Sequence, residues 1–187
     1  PVCMRLRAAH PKLAIEIVAN VHLVALRSEG FDLAIWAGEV RDPDLVCRKL
    51  AVGHVGLVAS PGYLQRRGAP DSVAALASHD LLRGHNSRNQ PRTWWPLLPS
   101  GRARVDGTFV TNDHALLLAA AVQGQGIALL ADLTCEAALA NGQLRRVLEH
   151  QVGNDAVVSV IVAQRALLPL RVRVVIDALL ESQPLVR

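Results

Sequence analysis

The chain has 187 residues, enough for one large domain or two small ones built on sheets, and its 51% hydrophobic content is ample for a core. Aromatic residues make up only 3%, so that core must come from Ala, Val, Leu and Ile, and the scarcity of stacking platforms weighs against an RNA-binding sheet. The net charge of +4 comes almost wholly from arginines scattered along the chain, Lys12 and Lys49 being the only lysines, and it reads mainly as solvated surface.

In chain order, Met4 to His10 reads as a short helical ending closed by His10-Pro11, because proline disfavours helical geometry in the residue before it. Leu13 to Ala19 (L-A-I-E-I-V-A) reads as a strand, His22 to Glu29 as a helix capped by Gly30, and Asp32 to Ala37 as a second buried strand ending on Gly38. Strand, helix and strand with short joints predict a parallel pair. Leu50 to Ala59 is an extended run with two glycines, which mark a bend or a close backbone approach. Ser60-Pro61 starts a short helix ending at Gly68, Ser72 to Ser78 is another, and Asp80 to Arg83 is a short strand. Gly84 to Arg104, dense in turn formers around Trp94 and Trp95, reads as an irregular crossing, and Arg104 to Val110 as a strand. Thr111, Asn112 and Asp113 open an Ala/Leu helix that stops at Gly124, and Ile127 to Ala131 follows as a buried strand. Leu133 to Asn141 is helical, Leu144 to Leu148 and Val157 to Ala163 are strands, and Leu167 to Ser182 is a helix carrying Leu170, Val174, Ile176 or Val175, and Leu179 or Leu180 inward.

This order describes two α/β lobes joined by two crossing strands, residues 1–55 with 160–187 as lobe one and 56–159 as lobe two, with a cleft between them. Ligands of open α/β sheets sit beyond the carboxyl ends of strands, at helix starts. Cys3, Cys47 and Cys135 lie far apart in no metal-binding spacing, which argues against a disulfide framework and a zinc site and points to reducing cytoplasm. No run approaches the roughly 20 apolar residues of a membrane span. Neither an initiator methionine nor a secretory leader opens the chain, so it reads as a fragment or a processed product.

The string from Gly30 to Gly38 (G-F-D-L-A-I-W-A-G), the run from Arg48 to Leu64 (R-K-L-A-V-G-H-V-G-L-V-A-S-P-G-Y-L), His79-Asp80-Leu81, and Thr111-Asn112-Asp113 followed by G-Q-G-I-A-L-L from Gly124 to Leu130 resemble the effector-binding domain of LysR-type transcriptional regulators. The resemblance runs from about Leu6 to about Leu180. It implies two Rossmann-like lobes in a periplasmic-binding-protein-like (type 2) arrangement, with DNA bound only through an N-terminal winged helix-turn-helix absent from this chain. It also implies that the first strand of lobe one is missing here. Sensing domains of the family pair lobe one against lobe two, which makes His22 to Glu29 and Ala115 to Gln123 the elements of a homodimer or homotetramer.

The expected site follows. Thr111, Asn112 and Asp113 either cap the helix, border the effector cleft, or do both; Asp113 would repel an anion, which favours Thr111 and Asn112 as contacts. Trp36, Ala37 and Gly38 end a strand facing the same cleft, and the Trp36 indole could floor it. Ser60 with Pro61 is mainly a helix cap and secondarily a ligand contact. Gly124-x-Gly126 follows a helix and precedes a strand, the reverse of a dinucleotide fingerprint. The seven histidines are scattered, with no metalloprotease motif and no nucleophile elbow, so no catalytic residue, metal or cofactor is expected. His85 beside Asn86 reads as exposed loop, and Arg102 and Arg104 as solvated surface rather than nucleic-acid contacts.

The expected function is effector sensing and oligomerisation for a LysR-type regulator, with a small, anionic metabolite as ligand. A solute-binding protein of a transport system, and a truncated fragment that binds nothing, are the alternatives.

Overall fold

The computed structural model describes residues 2–19, 25–40, 42–86, 89–163 and 168–182. It divides into two compact units, residues 1–52 with 156–187 and residues 53–155. Two long strands, β2 (Leu45–Ala59) and β9 (Gly153–Ala163), run from one unit into the other.

In the first unit, helix α1 (Val2–Ala9) packs on α6 (Leu170–Glu181) through Leu6. Strand β1 (Ala34–Ala37) pairs antiparallel with β9, Ala34 opposite Ile161 and Ala37 opposite Val158, and β2 lies on the other side of β9. The core is Val160 and Val162 of β9 against Val172 and Ile176 of α6, with Leu33, Leu50, Leu179 and Leu180 around them. Positions 172, 176, 179 and 180 form one helical stripe. Leu170 falls two residues before that stripe, about 200° round the helix at 3.6 residues per turn, and is 72% exposed rather than inward as expected.

Two expectations for this unit fail for one reason. Leu13 to Ala19 forms no strand and joins no ladder, and Ile17 is 71% exposed. An apolar run becomes a strand only where a neighbour takes up its backbone groups, and among the described residues none does. The parallel pair predicted with Asp32 to Ala37 is therefore not formed, and β1 has an antiparallel partner instead. Of the predicted helix from His22 to Glu29, residues 22–24 lie outside the described residues; Ala25–Ser28 is α2, and Gly30 follows it with φ +75°.

The second unit has a sheet covered on both faces. Its parallel strands β3 (Leu81–Arg83), β6 (Phe109–Val110) and β7 (Ile127–Ala131) share one direction, and the end of β2 runs antiparallel to β7 and to β8 (Arg145–Val147). Alternate residues leave for opposite cores. Leu57, Leu81 and Ile127 join Tyr63, Leu76, Trp95 and Val152 on one face. Val58, Leu82 and Ala128 join Leu117, Ala121, Cys135 and Leu144 on the other, under helices α4 (His114–Val122) and α5 (Asp132–Ala140). Two buried faces explain why these strands read as unbroken apolar runs.

Helix α3 (Pro61–Arg67) starts and stops where expected, at Ser60 and Gly68. Ser72 to Ser78 narrows to a 3-10 turn, Ala74–Ser78. The supposed irregular crossing contains an antiparallel hairpin, β4 (Trp94–Pro96) with β5 (Arg102–Arg104), which Trp95 anchors in the core at 0% exposure. The strand expected from Arg104 to Val110 is accordingly split. Between its two parts the chain passes so close to Leu81 that a Cβ on Gly107 would clash with the Leu81 carbonyl.

Candidate functional site

The carboxyl ends of β3, β6 and β7 lie at one end of the second unit's sheet, and Thr111 follows β6 there, its N–H donating to the Arg83 carbonyl at 3.1 Å. Asp113 caps α4: one carboxylate oxygen accepts from the N–H of Ala115 at 2.8 Å and of Leu116 at 3.2 Å. The Thr111 hydroxyl oxygen in turn accepts from the Asp113 N–H at 3.0 Å. A helix start offers free amides and the positive end of the dipole, but here the protein's own carboxylate occupies two of them, those of Ala115 and Leu116.

Polar groups remain beside that cap. The Asn112 side-chain amide donates to Asn89 Oδ1 at 3.2 Å, and His85 Nδ1 lies 2.9 Å from the same oxygen. Asn89 holds a left-handed backbone, φ 55°, which asparagine tolerates better than other non-glycine residues. Sequence reasoning took His85 and Asn89 for exposed loop and turn formers; an asparagine in a loop that must close on a helix start was the one available signal. At the same end of the sheet, Val55 of β2 pairs with Ala131 at the close of β7, and His54 Nδ1 lies 3.1 Å from Asp155 Oδ1. Gly56 and Gly153 leave room for that imidazole, since a Cβ on either would come within 3.2 Å of it.

Ser60 and Pro61 do not belong with Thr111. Because β2 runs against β7, Ser60 after the end of β2 sits where β7 begins, while Thr111 sits where β7 ends. A five-residue strand, about 13 Å long at 3.3 Å per residue, separates the two ends. Ser60 is buried at 5% exposure; its Oγ accepts from the Tyr63 N–H at 3.2 Å and fills the space beside Gly124, so it is a structural cap. Trp36, Ala37 and Gly38 close β1 in the first unit. Trp36 is half-buried opposite Ser159, Ala37 is exposed, and the Gly38 N–H donates to the Val157 carbonyl at 2.9 Å with φ 115°.

The glycine pair is structural as well. Gly124 ends α4 with φ 73°, and Gly126 lets β7 pass the Asp80 carbonyl, which a Cβ there would strike. Burial raises the Cys135 thiol pKa, and its Sγ donates to the Ala131 carbonyl, as in an inert core cysteine. Among the described residues no group of three His, Cys, Asp or Glu could hold a metal, and no helix is long and apolar enough to cross a membrane.

Comparison with known proteins bears on this geometry. Residues 1–184 match the family described as the LysR substrate binding domain. The chain is 33% identical over 168 residues to an uncharacterised HTH-type transcriptional regulator of Haemophilus influenzae, covering 88% of this chain and 58% of that protein. It is 28% identical over 185 residues to the HTH-type transcriptional regulator CrgA of Neisseria meningitidis, covering 97% and 61%. Among solved structures it superposes on the CrgA regulatory domain of Neisseria meningitidis with TM-score 0.86 at 26% identity, covering 98% of this chain and 91% of that one. The regulatory domain of AphB in Vibrio vulnificus gives TM-score 0.81 at 26% identity, with 97% and 90% covered. The chain spans 48% to 61% of the length of the curated relatives it matches. With a family match over nearly its whole length and the mixed α/β fold of those regulatory domains, the chain belongs to the LysR substrate-binding domains, the effector-sensing part of LysR-type transcriptional regulators.

Proposed function

We propose that the chain senses a small-molecule effector held at the carboxyl ends of β3 and β6, with Thr111 and Asn112 as contacts and His85 and Asn89 fixing the Asn112 amide. Trp36, Ala37 and Gly38 at the end of β1 are further proposed effector contacts. The observation that carries this reading is the polar cluster of Thr111, Asn112, Asn89 and His85 at the strand ends where open α/β sheets bind ligands. Asp113 already fills the Ala115 and Leu116 amides of α4, so an anionic effector takes its hydrogen bonds from the Asn112 amide and the Thr111 hydroxyl instead.

Relatives of this domain are named HTH-type transcriptional regulators, which supports a place in a DNA-binding regulator. On that reading the chain works in the cytoplasm, is not an enzyme, leaves specific DNA binding to a helix-turn-helix elsewhere in the protein, and pairs with a second copy through α2 and α4. Leu116 on α4 and Leu133 on the adjoining α5 are 52% and 78% exposed, an apolar face that suits pairing. Sensing needs only that the effector bind one conformation better than another.

Thermal unfolding against a panel of small carboxylates and aromatic acids tests the reading, since a ligand bound only by the folded state raises the midpoint. One compound should shift the melt, and Thr111→Val with Asn112→Ala should abolish the shift while leaving the ligand-free midpoint in place. A panel that shifts nothing, or a shift that survives the double variant, refutes the site.

A further inference from the structure

The β4–β5 hairpin has a second face with no role in effector binding. Trp94 stands directly opposite Arg104, and Trp95 opposite Ala103, so Trp95 and Ala103 face the core while Trp94 and Arg104 face away. Two more arginines join them: the Arg102 guanidinium carbon lies 4.3 Å from the centre of the Trp94 ring and that of Arg92 lies 5.6 Å from it. Among the described residues none of the three arginines is ion-paired. Asp106, the acidic residue nearest in sequence, is turned to Arg83 at 3.6 Å. Burial alone lowers the Arg92 pKa, with no carboxylate beside it to offset the cost.

A guanidinium stacked on an indole is held in place while its in-plane N–H groups stay free, which suits forked binding of phosphate. Two such cations, Arg92 and Arg102, with Arg104 opposite Trp94 on the same ribbon and no acid paired with any of the three, form a concentrated positive patch.

We propose that this face, Arg92, Trp94, Arg102 and Arg104, contacts the phosphate backbone of duplex DNA without reading its sequence. The inference rests on the chain's being part of a DNA-binding regulator, which brings a duplex near the domain. A duplex is favoured over an acidic protein because a row of cations meets a row of phosphates, whereas surface carboxylates stand among charges of both signs. The contact adds to the protein's hold on DNA beyond its specific site, and neutralising three phosphates makes that contribution strongly salt-dependent.

The test is fluorescence anisotropy of a labelled mixed-sequence duplex with the 187-residue chain. Binding at 50 mM salt should weaken about 40-fold by 200 mM, the loss expected for three phosphate contacts. Arg92→Gln with Arg102→Gln and Arg104→Gln should lose about tenfold or more at 50 mM and flatten the salt slope. Arg5→Gln with Arg7→Gln and Arg173→Gln, which removes the same charge elsewhere, should bind as the parent does. Trp94→Leu keeps every charge but frees the arginines, and should weaken binding severalfold with the melt unchanged. The inference is overturned by equal losses in the two triple variants, by no salt-dependent binding, or by an oligoglutamate peptide that competes as well as DNA does, which would make this an acidic-protein surface. Effector-induced thermal shifts are indifferent to all of these variants, so a failure here leaves the sensing site standing.

Discussion

The two ends of the second unit's sheet each carry a helix start with a capping side chain, and they have opposite characters. At one, Ser60 caps α3 and is sealed in: Tyr63 below it is 2% exposed, its hydroxyl accepts from the Asp80 N–H at 2.9 Å, and Arg66 donates to the Gly124 carbonyl at 2.9 Å. At the other, Asp113 caps α4 in the open, among exposed polar side chains that bond one another across a loop. The same local signal therefore sits in a sealed core at one end and among exposed polar groups at the other. What decides is the direction of β2, which the residues around the cap do not contain.

The contrast predicts that the sealed end governs stability. Gly126→Ala should be the most damaging change, because the new Cβ meets the Asp80 carbonyl, a backbone group that cannot swing aside. Overpacking of this kind costs about 3 kcal/mol or more, readable as a lower denaturation midpoint at unchanged slope. A fully stable variant would mean that β3 and β7 are not that close. Tyr63→Phe comes next: it removes the part-buried hydrogen bond from the Asp80 N–H and the contact to His79, a loss of about 1 kcal/mol.

Much of this division follows from residue patterns. The helix starts at Ser60-Pro61 and Asp113 and the stops at Gly30, Gly68, Gly124 and Gly142 are local events, since caps and left-handed glycines act within a turn. Pairing is not local. Leu13 to Ala19 has a strand's composition but no described neighbour, and the three-residue strands β4 and β5 are too short to show alternation. The site divides the same way. Thr111 and Asn112 stand out because they open a helix, whereas His85 and Asn89 matter only once the fold brings them to Asn112, and Ser60 drops out only once β2 is known to run against β7.

The open end should tolerate change in stability while losing function. Asp113→Ala removes the cap and should cost about 1 kcal/mol, with the freed Ala115 and Leu116 amides then able to take an anion. An effector that binds more tightly to this variant than to the parent would show that Asp113 screens the site against negative charge. Asn112→Ala should move the ligand-free midpoint by no more than about 0.5 kcal/mol, as an exposed substitution does, yet weaken effector binding. A variant that binds as the parent does would remove Asn112 from the site.

The smallest effect is a pH dependence at the sealed end. Burial first, and then the nearby Arg67 charge, lower the His79 pKa below its ordinary value, with Asp80 opposing them. The folded chain thus favours neutral His79, beside the Tyr63 hydroxyl at 3.2 Å, and binds fewer protons there than the unfolded chain. The stabilisation linked to it is present above the unfolded-state pKa of about 6.5 and is lost as pH falls through the lowered folded value. Melting followed from pH 7.5 downward should show stability declining below about 6.5, and His79→Gln, which cannot titrate, should remove that part of the decline. Because carboxylates across the molecule titrate lower, the difference between the two melting curves in this window, rather than either curve alone, reports on His79. If the curves run parallel, the histidine is as free to protonate in the folded chain as in the unfolded one, and the end of the sheet around Tyr63 is wetter than its burial implies.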